Sequence, residues 1–402
     1  ARPEKVAVIG SGPAGLACAA WLVRFGYNVT IFEAEKKLGG MLRLGIPEYR
    51  LPRDILDRDI DRIKKAGVKI KTGVRVGQEI TLEMLRHQGF KAFFLGVGAW
   101  QESPLKIPGT ELTGVVGSLS FLKAYNCGQI KKIRDGWTYL SGNKPVLISG
   151  RRVAVIGGGN AAMDVARTCL RLGAREVHVI YRRSREAMPA IPEEVAEAEK
   201  EGVRFHFLLV PEEIKGQNGS VAEIVCASTR PGEFDETGRR KAVATEEKIV
   251  FPVEVVISAI GGRPQMSPEM KEKLSLTAWG TIKIDPLTMA TSQPDVFAGG
   301  DVTTGGGTVI DSMADGEKAA ISIDRYLRGE CLTGNRFVYR GERQTVPASD
   351  LPGDLSRADA EKPQQLPLKY RLAGFEEVER GYNRKQAISE ASRCLRCDRK
   401  ES

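Results

Sequence analysis

The chain has 402 residues, too many for one ordinary domain, and at roughly 100–200 residues per domain it holds two or three folded units. Hydrophobic residues make up 42% and charged residues 28%, which excludes a disordered or fibrous chain, and no run of about 18 apolar residues exists to span a membrane. Net charge is +9, which suits nucleic acid, a membrane surface, an acidic protein partner or simply an enzyme with a basic surface.

The first residues, Ala1 to Lys5, run straight into an apolar stretch; this is the pattern of neither a signal peptide nor a transit sequence. Lys5-Val6-Ala7-Val8-Ile9 predicts a strand leading into Gly10-Ser11-Gly12-Pro13-Ala14-Gly15, and Leu16 to Val23 predicts a helix. A second strand, Asn28 to Phe32, ends at Glu33. The glycines let backbone approach a pyrophosphate, the helix start offers N–H groups, and Glu33 can accept from ribose hydroxyls. Strand, turn, helix and acid in this order predict a dinucleotide site.

Gly128 to Gly150 reads as a crossing linker, after which the unit recurs. Arg152 to Ile156 predicts a strand, Gly157-Gly158-Gly159-Asn160-Ala161-Ala162 the turn, Met163 to Leu170 a helix, and Glu176 to Tyr181 a second strand. Arg182, followed by Arg183, stands where the first unit has its acid. A carboxylate there receives a 2′-hydroxyl but repels a 2′-phosphate, which guanidinium groups attract. The pair therefore suggests NADP; two surface arginines ending an edge strand are the plain alternative. Glu193 to Glu201, acidic and following Pro192, predicts a surface helix, and Arg230 to Arg240 a solvated hairpin tip.

Pro294 to Asp301 predicts a short buried strand ending in an acid, followed by Gly305-Gly306-Gly307 and a helix from Thr308 to Tyr326. That arrangement suits a ribityl chain and the electron-rich edge of a flavin. Residues 331–370, rich in Pro, Arg, Asp and Gln, read as an extended arm. Helical spacing returns from Asn383 to Cys397, with Ala387, Ala391, Cys394 and Leu395 on one face. Seven thinly spread cysteines argue against a disulfide framework and for a reducing cytosol. Cys394 and Cys397 supply half of the four ligands an iron–sulfur cluster or a zinc ion needs, or are free thiols. No such pair lies near either glycine turn, which argues against thiol reduction. His87, His178 and His206 read as structural, and no basic stripe interleaved with aromatics points to nucleic acid.

Five segments together carry a resemblance: Gly10–Gly15; Leu38-Gly39-Gly40-Met41-Leu42-Arg43-Leu44-Gly45-Ile46-Pro47 with Arg50-Leu51-Pro52; Gly157 to Asp164; Tyr181-Arg182-Arg183-Ser184; and Phe297-Ala298-Gly299-Gly300-Asp301. Over residues 1 to about 330 the chain resembles the two-dinucleotide-domain flavoproteins of the glutamate synthase small-subunit type. Similar modules occur in the large subunit of NADH-dependent ferredoxin:NADP oxidoreductase and the flavin half of dihydropyrimidine dehydrogenase. The resemblance implies an FAD site lined by Gly10, Gly12, Pro13, Ala14, Gly15, Glu33, Gly40, Met41, Ile46, Arg50, Val76 and Gly98, completed by Gly300, Asp301, Thr308 and Val309. It implies a site for NADP or NAD at Gly159, Asn160, Ala161, Arg182, Arg183 and Gly261. The family usually has Ala-Thr-Gly where this chain has Gly96-Val97-Gly98. Its iron–sulfur members often end in a tail similar to Glu390-Ala391-Ser392-Arg393-Cys394-Leu395-Arg396-Cys397 and carry an N-terminal iron–sulfur domain not seen in this sequence.

The expected fold class is thus α/β, two Rossmann-like dinucleotide-binding domains with the NAD(P) domain inserted in the FAD domain, plus a C-terminal arm with a short helix. The expected limits are 1–143 and 253–330 for FAD, 144–252 for NAD(P) and 331–402 for the arm. The expected function is that of a cytoplasmic FAD-dependent NAD(P)H oxidoreductase module. It would exchange electrons with an iron–sulfur subunit or ferredoxin in a hetero-oligomeric complex, with no nucleic acid, no membrane span and no catalytic side chain, because the cofactors carry the hydride. A non-catalytic FAD-binding assembly subunit is the alternative.

Overall fold

A computed structural model describes residues 2–134, 136–141, 144–234, 238–334 and 359–393. Two five-stranded parallel sheets frame the protein. The first runs Val296–Ala298, Phe90–Leu95, Lys5–Ile9, Asn28–Glu33, Lys69–Thr72. The second runs Arg204–Phe207, Glu176–Tyr181, Arg152–Ile156, Val255–Ser258, Val115–Gly117. The central strands are apolar because parallel sheets are covered on both faces: Val6, Ala7, Val8, Val153, Ala154 and Val155 are all fully buried. The two glycine turns therefore stand at equivalent places, each between a central strand and the helix that follows it, Pro13–Arg24 in one unit and Asn160–Arg171 in the other.

The strand before Asp301 pairs with Phe90–Leu95, so the distant acid returns to the first sheet. The passages between sheets lie earlier and later than residues 143 and 253. Val115–Gly117 and Val255–Ser258 both bond into the second sheet, and Gln101–Glu102 and Gly262–Arg263 pair antiparallel where the chain crosses over. Gly128–Gly150 is no linker either. It folds as an antiparallel sheet of Lys131–Ile133, Gly136–Ser141 and Lys144–Leu147. Alternation explains this: Tyr139 and Val146 turn inward, and the Tyr139 ring meets Phe121 edge-on at 6.0 Å.

A further antiparallel sheet of Leu209–Gln217, Ser220–Phe234 and Arg240–Pro252 carries the expected hairpin. Past residue 358 the arm buries Leu366 and Val378 and forms two helices, Leu368–Ala373 and Arg384–Ser392. Asn383 caps the second by accepting from the Gln386 N–H. Cys394 and Cys397 lie outside the described residues. Among the described residues, all five cysteines are free and no helix is long and apolar enough to cross a membrane.

Candidate functional site

A cleft of about 410 Å³ opens along the C-terminal edge of the first sheet, where ligands of open α/β sheets bind. Gly10, Gly12, Pro13, Ala14, Glu33, Gly40, Met41, Val76, Gly98, Gly300 and Asp301 all line it. Gly10 has φ +97°, and a Cβ there would stand 2.4 Å from the Gly96 carbonyl oxygen. Only glycine lets the turn press against the Gly96-Val97-Gly98 connector. The helix Pro13–Arg24 begins without a side-chain cap, leaving its first N–H groups for a ligand.

Glu33 ends its strand buried in the same cleft. One carboxylate oxygen accepts from the Ser11 N–H and hydroxyl, the other from the Glu35 N–H at 2.8 Å. Each carboxylate oxygen has two acceptor positions, so the second can still receive a ribose hydroxyl. At the opposite end, burial and then the neighbouring Asp315 hold the Asp301 carboxyl above the usual carboxylate range. Asp315 also accepts from the Gly300 N–H at 3.0 Å. An uncapped helix start, a buried acid with a spare acceptor and a cleft of ligand size fit a dinucleotide such as FAD.

Other expected residues fall elsewhere. Gly15 lies under the turn, packed against the Gly10 carbonyl. Thr308 caps the helix Val309–Leu327, accepting from the Asp311 N–H at 3.1 Å while its hydroxyl donates to Asp311, and it lies outside the cleft lining with Val309 and Ile46. Arg50 also stands outside: its two Nη atoms pair with Asp164 and Glu194, each at 2.8 Å.

The second unit repeats the first turn. Gly157 has φ +141° and a Cβ would stand 2.3 Å from the Ala259 carbonyl, while nothing but Pro189 approaches the Gly159 position. The helix Asn160–Arg171 also starts without a side-chain cap. The Asn160 side chain turns aside and accepts from the Ile191 N–H at 2.9 Å. Arg182 is exposed at the strand end, its carbonyl fixed by the Thr229 hydroxyl at 2.9 Å, and the Arg183 Nε donates to the Arg240 carbonyl at 2.8 Å. Gly261, φ +99°, lies on the connector beyond Ala259, with nothing near its Cβ position. His178 and His206 stack on each other with ring nitrogens 2.9 Å apart, away from the cleft.

Between the two turns lies a buried charge network that the sequence reading missed. Arg167 and Arg171 both bind Glu201, with Arg171 at 2.6 and 2.9 Å, and Arg167 also binds Glu194. The Arg171 guanidinium lies 4.0 Å from the centre of the fully buried Tyr49 ring, whose hydroxyl reaches Thr168 at 3.3 Å. The helix Pro192–Lys200, expected at the surface, therefore turns Glu194 and Glu197, with Glu201 just beyond, toward buried arginines. The signal was present as three acids at i, i+3 and i+7 and two arginines at i, i+4 within an apolar helix. Burial pushes the Asp164 carboxyl up to about 6, with Arg50 opposing. Burial also acts against the Glu201 charge, yet the bonds from Arg171 and Arg167 hold it below the usual range.

Fold and cleft thus define an α/β protein built from two units, each with the glycine turn of a dinucleotide-binding fold. The family model of the pyridine nucleotide-disulphide oxidoreductases matches residues 4–316, so the chain belongs to that family. It is 39% identical over 414 residues to the NADP(+)-dependent formate dehydrogenase subunit beta of Moorella thermoacetica, covering 98% of this chain and 55% of the relative. It therefore spans about half that relative's length. It is 38% identical to the glutamate synthase [NADPH] small chain of Escherichia coli (strain K12), over 81% of this chain and 69% of the relative. The solved structure of Mycobacterium tuberculosis FprA in complex with NADPH superposes with a TM-score of 0.69 at 21% identity, covering 82% and 85% of the two chains; that likeness shows the fold.

Proposed function

We propose that the chain is the flavin-bearing module of a larger cytoplasmic redox complex, linking NADPH to iron–sulfur centres on a partner subunit, a further domain or a ferredoxin. The observation that carries this reading is the pairing of two equivalent glycine turns with opposite charge behind them, Glu33 in one unit and Arg182-Arg183 in the other. Glu33 suits the ribose of a resident FAD; the arginines suit the 2′-phosphate of a diffusible NADPH. Relatives described as subunits of NADPH-linked formate dehydrogenase and of glutamate synthase support the wider setting.

In this reading FAD lies along the cleft from Glu33 to Asp301, with Gly10, Gly12, Gly40, Met41, Val76 and Gly98 shaping its walls and Gly15 supporting the turn from beneath. NADPH takes the Gly159–Ala161 helix start. We place the flavin unit at about 1–100 and 264–330 and the nicotinamide unit between them. Bound there, the flavin accepts two electrons as hydride and can release them singly. The protein's part is to hold both rings in register and to exclude water, with no acid or base required. Thiol reduction is not proposed, because the cysteines nearest in sequence to the first turn are Cys18, buried in its helix, and Cys127. Cys394 and Cys397 are proposed as half of an iron–sulfur ligand set completed elsewhere.

The test is isolation of the chain with its native partners. Iron and acid-labile sulfide in stoichiometric amounts, reduced by NADPH through this chain, are expected. Their absence from the complex removes the iron–sulfur partner.

A further inference from the structure

The arm is anchored to both units. The Val378 N–H donates to the Tyr49 carbonyl at 3.0 Å in the first unit. Phe375 packs against Tyr125 at 5.1 Å and edge-on against Trp137 at 6.2 Å in the second. Arg371, only 7% exposed, ion-pairs with Glu197 and stands 4.0 Å from Glu201. Its other donors go to the Leu366 carbonyl and to the Gln365 side chain, so the guanidinium is held from both sides.

Charge in the buried network makes this residue special. Asp164, Glu194, Glu197 and Glu201 face Arg50, Arg167 and Arg171 from the two nucleotide units, and Arg371 from the arm is the fourth guanidinium. Lys200 reaches Glu197 only from the solvent side, with its side chain 63% exposed. Without Arg371, Glu197 keeps only the exposed Lys200, and Glu201 loses one of the three guanidinium groups around it. A partly buried carboxylate that loses a cation is unfavourable, so the network must rearrange or admit water. That network includes Arg167 and Arg171, which hold Tyr49, and Glu194, which holds Arg50. Tyr49 and Arg50 close the segment that begins at the cleft residues Gly40 and Met41. Asp164, Arg167 and Arg171 lie on the helix whose start is the proposed nicotinamide site.

We propose that Arg371 is a positioning residue for hydride transfer, through which the C-terminal arm completes the charge network that fixes the nicotinamide unit against the flavin unit. This rests on the oxidoreductase reading for its functional half, while the structural half stands alone. The test compares the wild-type chain with Arg371→Gln. In the cofactor-free protein, hydrogen exchange is expected to rise at residues 47–51 and along Asn160–Arg171 as well as in the arm. In the flavin-loaded protein, hydride transfer from NADPH is expected to slow by about tenfold or more with NADPH affinity changed less than about twofold. Arg371→Lys restores part of both. Should Arg371→Gln not fold, the charge-balanced Glu197→Gln/Arg371→Gln chain is read the same way. Exchange changes confined to residues 359–393 with an unaltered hydride rate overturn the proposal. A wild-type chain that accepts no hydride removes the oxidoreductase reading alone, and the exchange result still decides whether the arm fixes the two units.

Discussion

Arg50 Nη1 lies 2.8 Å from Asp164 Oδ1, joining the segment that follows the cleft residues Gly40 and Met41 to the first turns of the helix Asn160–Arg171. The resemblance implies Arg50 as a flavin-site residue; the structure turns it toward the other unit, where Asp164 and Glu194 share its guanidinium. One side chain thus ties the segment after Gly40 to the helix that follows the second glycine turn.

Removing Arg50 strands Asp164 and leaves Glu194 to Arg167 alone, and Arg50→Gln is expected to cost roughly 3–5 kcal/mol, toward the low end because the side chain is partly exposed. Urea unfolding measures this. A double-mutant cycle with Asp164→Asn is expected to return a coupling of about 0.5–3 kcal/mol; additive effects show that the pair does not join the units.

The pH dependence follows from Asp164, whose carboxyl is pushed by burial from its ordinary 3.8 up to about 6 against Arg50, with Glu194 pushing further and Arg167 opposing. Because the folded state holds this proton more tightly than the unfolded chain, its stabilising contribution is full below about pH 4 and lost as pH rises through about 6. A shift of that size corresponds to about 3 kcal/mol. Relative to wild type, Asp164→Asn is therefore expected to gain stability between pH 4 and 6 and hold a constant difference above. A flat difference across that window contradicts the buried, raised carboxyl.

The two glycine turns predict separable losses. Gly10→Ala places a Cβ against the Gly96 carbonyl at 2.4 Å, and Gly157→Ala places one against the Ala259 carbonyl at 2.3 Å. The first is expected to purify with little flavin. The second is expected to keep its flavin and lose NADPH binding, as read by flavin absorbance and by calorimetry.

Replacing Arg182 and Arg183 by glutamine is expected to lower kcat/KM for NADPH by about tenfold to a hundredfold, with NADH nearly unaffected. Equal losses with both nucleotides assign the arginines to the frame of the hairpin rather than to a 2′-phosphate.

The two nucleotide units were legible because each needs a turn few sequences can make. Gly10 and Gly157 have backbone angles and close approaches that only glycine meets, and strand and helix periodicity flank both. Glu33 and Asp301 were legible for a related reason, since the first ends an apolar strand and the second opens the helical turn just after one. What pairs across long sequence separation was hidden. Arg50 meets Asp164 across 114 residues and Arg371 meets Glu197 across 174, and nothing local in either arginine distinguishes a buried ion pair from a solvated surface. The supposed linker failed differently: its Lys and Gly residues outweighed the inward alternation of Tyr139 and Val146. The acidic helix was read by composition when the spacing of Glu194, Glu197 and Glu201 carried the information.

The most direct test of the whole account is anaerobic addition of NADPH to the flavin-reconstituted chain, followed at about 450 nm where oxidised flavin absorbs. Rapid and complete bleaching by NADPH, with slower bleaching by NADH, is the expected result. A chain that holds FAD yet is bleached by neither nucleotide is an assembly subunit, and that result contradicts the account.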